Sequence, residues 1–166
     1  PIAHDLNAYI QMTRKAMESE GIREREETEI LTDLDVHEAW ANQICRKTEE
    51  MPVIDWTKSN YSRMNLKNRN LSGIDFTGSL MKNCDFTACN LTGVDFTGCN
   101  LTGAIFLNAI LAQNTFDGAK LEDIKIDQKN LQLFENAGIA VNTDQTGPMN
   151  ISVNRSVLSR KGNTAV

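Results

Sequence analysis

Residues 90–103 read NLTGVDFTGCNLTG, and a large apolar residue occupies every fifth position of this stretch. An α-helix repeats its buried face every 3.6 residues and a strand every 2, so a period of five predicts a backbone that turns a corner once per block. The spacing continues in both directions without a gap or a slip. The sixteen block centres are Trp56, Tyr61, Leu66, Leu71, Phe76, Met81, Phe86, Leu91, Phe96, Leu101, Phe106, Leu111, Phe116, Leu121, Ile126 and Leu131.

The other positions of the block are also regular. The residue two before each centre is often small, the residue just before it is often Asp or Asn, and Thr or Ser often follows. Many blocks end in glycine, which has no steric limit on φ and therefore suits a turn. This pattern resembles the pentapeptide-repeat family, whose blocks read roughly Ala-(Asp/Asn)-Leu-x-x.

The resemblance implies a mainly β fold, namely a short right-handed four-sided β-helix with four blocks per coil. Sixteen blocks make about four coils, or a rod roughly 20 Å long at about 4.8 Å per strand. Each end of a short solenoid leaves an open sheet edge and an uncovered core, so caps are needed. The chain is therefore divided into an α-helical N-terminal cap or docking segment (1–53), the β-helix (54–133), and a C-terminal cap with an extended polar tail (134–166).

The N-terminal flank has helical patterns. Apolar residues recur at helical spacing over residues 3–20 and again over residues 30–44, where the sequence leaves open one helix or two. The charged run at residues 23–29 has two readings, a solvated helix face or a docking surface for a basic partner. Because Trp56 and Tyr61 are unusually bulky centres, we expect the helices to lie across this end of the rod.

The C-terminal flank is more polar. Residues 130–137 predict a short helix that closes the stack, stopped by Gly138. Further on, Ile151, Val153 and Val157 keep two-residue spacing and predict one strand, held either on the chain's own domain or by a neighbouring protein.

The composition predicts a single compact domain. The chain has 166 residues, a net charge of −5, and no apolar run long enough to cross a membrane. We therefore expect a cytoplasmic protein, with secretion as an effector or incorporation in an assembly left open. Residues 1–53 carry 12 acidic and 6 basic side chains, whereas residues 54–133 carry 8 of each. The sequence lacks a basic patch with interleaved aromatics, which argues against direct nucleic-acid binding.

The cysteines raise the question of a metal site. Cys84, Cys89 and Cys99 occupy the inward small position, and a three-thiolate site facing the axis is one reading of them. However, the chain has no Cys-x-x-Cys spacing, and neither His4 nor His37 lies in the repeat. We expect these thiols to pack in the core as small apolar groups, and we expect no metal and no cofactor.

The outward positions suggest two surfaces. Residues twenty apart stack on one side of the rod, so Asp55, Asp75 and Asp95 form a column. That column serves either turn hydrogen bonds or a short acidic face for a cationic partner. The second surface is apolar, because residues expected to be polar next to several centres are Leu or Ile.

The apolar positions cluster around one corner of the rod. Clustered outward apolar side chains indicate covered surface, either under the chain's own tail or helices or under another protein. Together with the tail strand they form the predicted partner-binding set, which is Leu80, Ile105, Leu107, Ile110, Ala112, Ile151, Val153 and Val157.

No catalytic arrangement can be assembled from this sequence. It has no Ser-His-Asp or Cys-His grouping and no phosphate-binding glycine loop, so we expect a non-catalytic protein–protein interaction or scaffold module. Such a module would be a component of a larger assembly or an effector-type adaptor, binding through the tail or the helical cap, with self-association possible. The alternative, which the resemblance implies, is a DNA-mimic regulator of a type II topoisomerase. Four coils span only about six base pairs and the solenoid is neutral, which argues against that alternative.

Overall fold

Helices and short strands flank a long repetitive segment. The structure, a computed structural model, describes residues 21–42, 50–136, 142–147 and 150–155. Its regular elements in chain order are helix α1 (Glu27–Ala41), strand β1 (Leu121–Ile126), helix α2 (Gln128–Asn136), strand β2 (Asn142–Gly147) and strand β3 (Asn150–Arg155). From Trp56 to Ile126 the chain follows the five-residue repeat.

Each coil takes twenty residues and has four sides. Parallel bridges join residues twenty apart, from Asn60 with Leu80 to Ile105 with Lys125. The N–H of Phe76, a block centre, donates to the carbonyl of Asp95 in the next coil at 2.9 Å, and the centres from Tyr61 to Phe106 follow the same rule. The backbone therefore forms a β-helix whose parallel rungs are very short.

The corners use a turn that requires positive φ. At most corners the N–H of the following residue donates to the carbonyl of the preceding centre, as Val94 N does to Leu91 O at 3.1 Å. This is the geometry of a type II turn, whose third residue has positive φ and favours glycine. Six corner residues are glycines, but eight are not: Lys58, Arg63, Asn68, Asn83, Ala88, Asn108, Gln113 and Asp123.

The block centres form the core. All fifteen centres from Trp56 to Ile126 are buried. Phenylalanine centres twenty apart stack face to face, with ring centroids 5.3 Å apart for Phe96 and Phe116 and 5.1 Å apart for Phe86 and Phe106. The period of five thus sorts the large side chains into vertical columns inside the rod.

The sixteenth predicted centre, Leu131, lies in α2 and not in a fourth coil. The helix begins at Gln128, two residues before the predicted start, because Asp127 caps it. The Asp127 carboxylate accepts from Asn130 N at 3.2 Å and from Asn108 N at 2.6 Å. The Asn130 amide donates to Ala109 O at 3.0 Å. These two side chains replace the backbone groups of the missing rung, and the buried ring of Phe134 then covers the core above Phe116.

Helix α1 packs against the first coil. Ile30 and Leu34 are buried in the same apolar cluster as Trp56 and Tyr61. The helix runs without a break through Asp33 and Asp35, so residues 27–41 form one helix and not two. The helix predicted over residues 3–20 lies outside the described residues.

The C-terminal segment adds a small antiparallel sheet to the rod. Strand β3 pairs with β1 on one side and with β2 on the other, giving the order β1-β3-β2. The sequence predicted one strand in an extended tail, whereas the structure has two. None of the described helices combines the length and the apolar character needed to span a membrane.

Candidate interaction surfaces

The apolar corner, defined as Ile105, Leu107, Ile110 and Ala112, is assembled by one turn of the third coil. Ile105 and Leu107 flank the inward Phe106 on one side, and the chain then turns at Asn108 with a φ of 57°. Ile110 and Ala112 flank the inward Leu111 on the next side. Ile110 is 51% exposed, and the other three side chains are half-buried.

The corner has polar neighbours above and below. Ile105 lies between Asp85 in the coil below and Lys125 in β1, and Ile110 lies directly above Asn90. Asp85 is paired with Lys67, whose Nζ lies 3.4 Å from its carboxylate. The four apolar side chains thus form a small apolar patch surrounded by polar residues. The backbone that carries the patch is hydrogen-bonded to the coil beneath.

The remaining predicted partner-binding residues do not join this corner. Leu80 lies on a different side of the rod, between Asn60 and Asn100. In the tail, Ile151 pairs with Ile126 and Val153 pairs with Ile124. Both edges of β3 are occupied by the chain's own strands, so β3 itself offers no free edge for strand addition. Val157 lies outside the described residues.

The acidic column makes turn hydrogen bonds. One oxygen of Asp95 accepts from Thr97 N at 2.9 Å and from Thr97 Oγ1 at 2.5 Å. Asp55 and Asp75 make the same pair of bonds with the threonines two residues on. The hydroxyl and N–H of Thr57 lower the pKa of Asp55, and so does Arg23 beyond them. One oxygen of each carboxylate therefore stabilises the local turn, while the second oxygen makes no bond to that turn.

Arginine side chains tie the acidic helix to the rod. Arg69 of the first coil lies 2.8 Å from Glu38 and 3.3 Å from Asp35. Arg25 pairs with Glu29 and Asp33 and lies over the Trp56 ring. Burial alone would lower the pKa of Arg25, but its hydrogen bonds to the two carboxylates raise it. Within the charged run at residues 23–29, Glu29 is therefore neutralised by the chain itself, and so are Asp33, Asp35 and Glu38 further along α1.

Arg23 and His37 complete the open edge of the first coil. The Arg23 guanidinium donates to the carbonyls of Asp55 and Thr57, both at 2.8 Å, and Arg23 N donates to Lys58 O at 2.6 Å. His37 Nε2 lies 3.0 Å from Ser72 O. Sequence reasoning missed both roles, because an Arg in a charged run and a lone His on a helix carry no distinctive spacing.

The three cysteines of the repeat are buried free thiols. Each donates to the carbonyl of a centre in the coil below, as Cys84 Sγ does to Tyr61 O at 2.8 Å. Burial raises the pKa of Cys84 to about 12, so the group stays a thiol and a hydrogen-bond donor. Ser79 and Asn114 donate from the same inward position. Within the described ranges, no cluster of His, Cys, Asp and Glu has the arrangement of a metal site.

Comparison with known proteins supports the repeat assignment. The family model for pentapeptide repeats matches residues 62–98 and 89–128, with eight copies. A comparison with curated protein sequences finds no match. Among solved structures, the chain is similar to a pentapeptide-repeat protein from the thylakoid lumen of Arabidopsis thaliana, at 17% identity and a TM-score of 0.28, covering 57% of this chain and 83% of that one.

A second similar structure is a pentapeptide-repeat protein from the cyanobacterium Cyanothece 51142. It has 26% identity and a TM-score of 0.18, and the match covers 43% of this chain and 42% of that one. At these TM-scores neither likeness bears on function. The matched repeats, the buried column of centres and the corner at every fifth residue show that residues 62–128 form pentapeptide repeats.

Proposed function

We propose that this chain is a non-catalytic interaction module whose rigid solenoid presents the apolar corner to another protein. It would serve as a component of a larger assembly or as an effector-type adaptor. Pentapeptide-repeat proteins are generally non-catalytic repeat proteins. The observation that carries the proposal is Ile110, which is 51% exposed at a position where the coil below has Asn90.

The corner suits binding for two physical reasons. Fully burying an exposed Ile side chain contributes about 1.5–3 kcal/mol, so covering the exposed half of Ile110 contributes about half of that, and three further apolar side chains adjoin it. The corner is also rigid, since Ile105 N and Ile110 N donate to carbonyls of the coil below at 2.9 Å. A surface that is ordered before binding loses little conformational entropy on binding.

The proposal is tested by affinity capture, with the full chain as bait in three forms. These are wild type, the double variant Ile105→Ser/Ile110→Ser, and the matched control Leu80→Ser. Leu80 also precedes a centre and is also outward, but it lies on another side. We expect wild type and Leu80→Ser to retain one stoichiometric partner and the double variant to lose it, with thermal melts unchanged. Equal retention by all three variants would refute the corner as the binding surface.

The alternative proposal is DNA mimicry toward a type II topoisomerase. The column of Asp55, Asp75 and Asp95 favours it, because the second oxygen of each carboxylate is free of the turn bonds. Against it, Asp55 lies 3.5 Å from Arg23, and the column ends at Thr115 in the next coil. A supercoiling assay separates the two proposals, since a DNA mimic would inhibit gyrase and Asp75→Asn/Asp95→Asn would relieve that inhibition.

A further inference from the structure

A single histidine lies in the junction between α1 and the first coil. His37 is 1% exposed, and its Nε2 lies 3.0 Å from the carbonyl oxygen of Ser72. A carbonyl oxygen only accepts, so Nε2 carries the hydrogen and the neutral imidazole donates it. The ring also contacts Trp56 edge-on at 6.2 Å and Trp40 at 5.8 Å between centroids.

The charged groups around His37 are already engaged. On its own helix the neighbouring carboxylate is Glu38, which is bound at 2.8 Å by Arg69 of the first coil. Asp35 is bound by the same guanidinium. The Arg25 guanidinium lies 6.0 Å from the centroid of the Trp56 ring, which His37 also contacts, and it pairs with Glu29 and Asp33. A proton on His37 would thus add a buried positive charge next to Glu38, a carboxylate that Arg69 already binds.

We propose that His37 is a pH-sensitive latch: protonation of its imidazole in mildly acidic solution weakens the attachment of α1 to the first coil and uncovers that end of the solenoid. The hydrogen bond to Ser72 survives protonation, since Nε2 still donates. What changes is the desolvation cost, because burying a charge without a free counter-charge is unfavourable.

The direction of the pH effect follows from linkage. Burial lowers the pKa of His37, and the opposing effects of the Ser72 carbonyl and Glu38 are smaller. An open state in which the imidazole meets water therefore binds the proton more readily than the closed state. The attachment is complete above the ordinary histidine pKa of about 6.5 and weakens as the pH falls through the lower value of the closed state.

Opening at this junction would be local. It would withdraw Ile30 and Leu34 from the apolar cluster and expose the rings of Trp56 and Tyr61. The coils above would keep their own backbone ladder, since those rungs do not involve α1. The consequence is an apolar end surface available to a neighbour only in acid, separate from the apolar corner.

The test is hydrogen exchange by mass spectrometry on the full chain at about pH 7.5 and about pH 5.5, with rates corrected for intrinsic exchange. His37→Gln is the key variant, because its amide nitrogen can donate to Ser72 and does not titrate. His4→Gln is the matched control, since it removes the other histidine. In wild type and His4→Gln, acidification to about pH 5.5 should increase exchange in α1 by up to about tenfold, because this pH lies about one unit below the open-state pKa of about 6.5. Peptides from residues 76–110 should stay protected.

Two outcomes would overturn the latch. One is an equal acid response in His37→Gln, which would assign the effect to the carboxylates paired with the arginines. The other is unchanged α1 exchange in wild type over the same range. If His37→Gln does not fold, an NMR titration of the His37 ring in the intact chain decides the question, and a midpoint at or above about 6.5 contradicts the proposal.

Discussion

The body of the solenoid and its two ends are stabilised by different groups. In the body, backbone N–H and C=O groups of one coil pair with those of the next, and the side chains fill the interior and the corners. At the ends one neighbouring coil is missing, and polar side chains take the place of its backbone. Arg23 and His37 do so below the first coil, and Asp127 and Asn130 do so above the third.

This difference explains which residues are free to vary. A backbone ladder does not depend on the identity of outward side chains, so the body can change its surface without changing its fold. An end depends on a few particular donors and acceptors, because an unpaired backbone group at a sheet edge is costly when buried and promotes aggregation when exposed. We therefore expect substitutions of polar residues to be tolerated in the body and harmful at the ends.

The largest expected effect is a charge placed in the body's interior. Phe96 has ring neighbours on all sides, with Phe116 at 5.3 Å and Phe86 at 5.8 Å. Phe96→Asp would bury an unpaired carboxylate there at a cost of several kcal/mol or more, so cooperative unfolding should disappear from a circular-dichroism melt. Phe96→Leu is the control and should retain a cooperative melt at a lower temperature. A normal melt for the Asp variant would show that the inward register is wrong.

The next largest effect is expected at the C-terminal end. Asp127→Ala removes the cap of α2 and the acceptor of Asn108 N–H, which together should cost about 2–3 kcal/mol in urea unfolding. Asp127→Asn keeps an acceptor oxygen, so its loss of unfolding free energy should be clearly smaller than that of Asp127→Ala. Equal losses for the two variants would mean that the carboxylate does not replace a rung at this end.

The body of this fold could be predicted from the sequence, because a period of five has few structural explanations. The inward positions of Phe76, Phe96 and Phe116 follow directly from that period, and so does the corner formed by Ile105 and Ile110. The acidic column was left with two readings. Its turn hydrogen bonds are visible in the structure, whereas a role in binding remains a prediction.

The ends could not be predicted to the same degree. Asp127 looks like one more surface charge among its neighbours, and its role depends on where Asn108 N–H points in the coil below. Leu131 keeps the period of five, yet a helix cap four residues earlier overrides it. His37 is a lone histidine on a helix, and nothing in the sequence places it against Ser72, 35 residues away. Hydrogen bonds between polar residues that lie far apart in the chain produce no periodic pattern in the sequence.

The smallest expected effects lie at the corners of the body, where a matched pair of substitutions separates strain from packing. Gly98 has a φ of 66°, and an added Cβ would lie 3.8 Å from the nearest atoms, so only backbone strain opposes Gly98→Ala. That strain should cost about 1 kcal/mol. Ala88 has a φ of 59° in the equivalent place, so Ala88→Gly should relieve it, for a net gain of about 0.5 kcal/mol after the entropy of the unfolded glycine. Urea unfolding measures both, and destabilisation by Ala88→Gly would show that this corner does not hold the left-handed conformation.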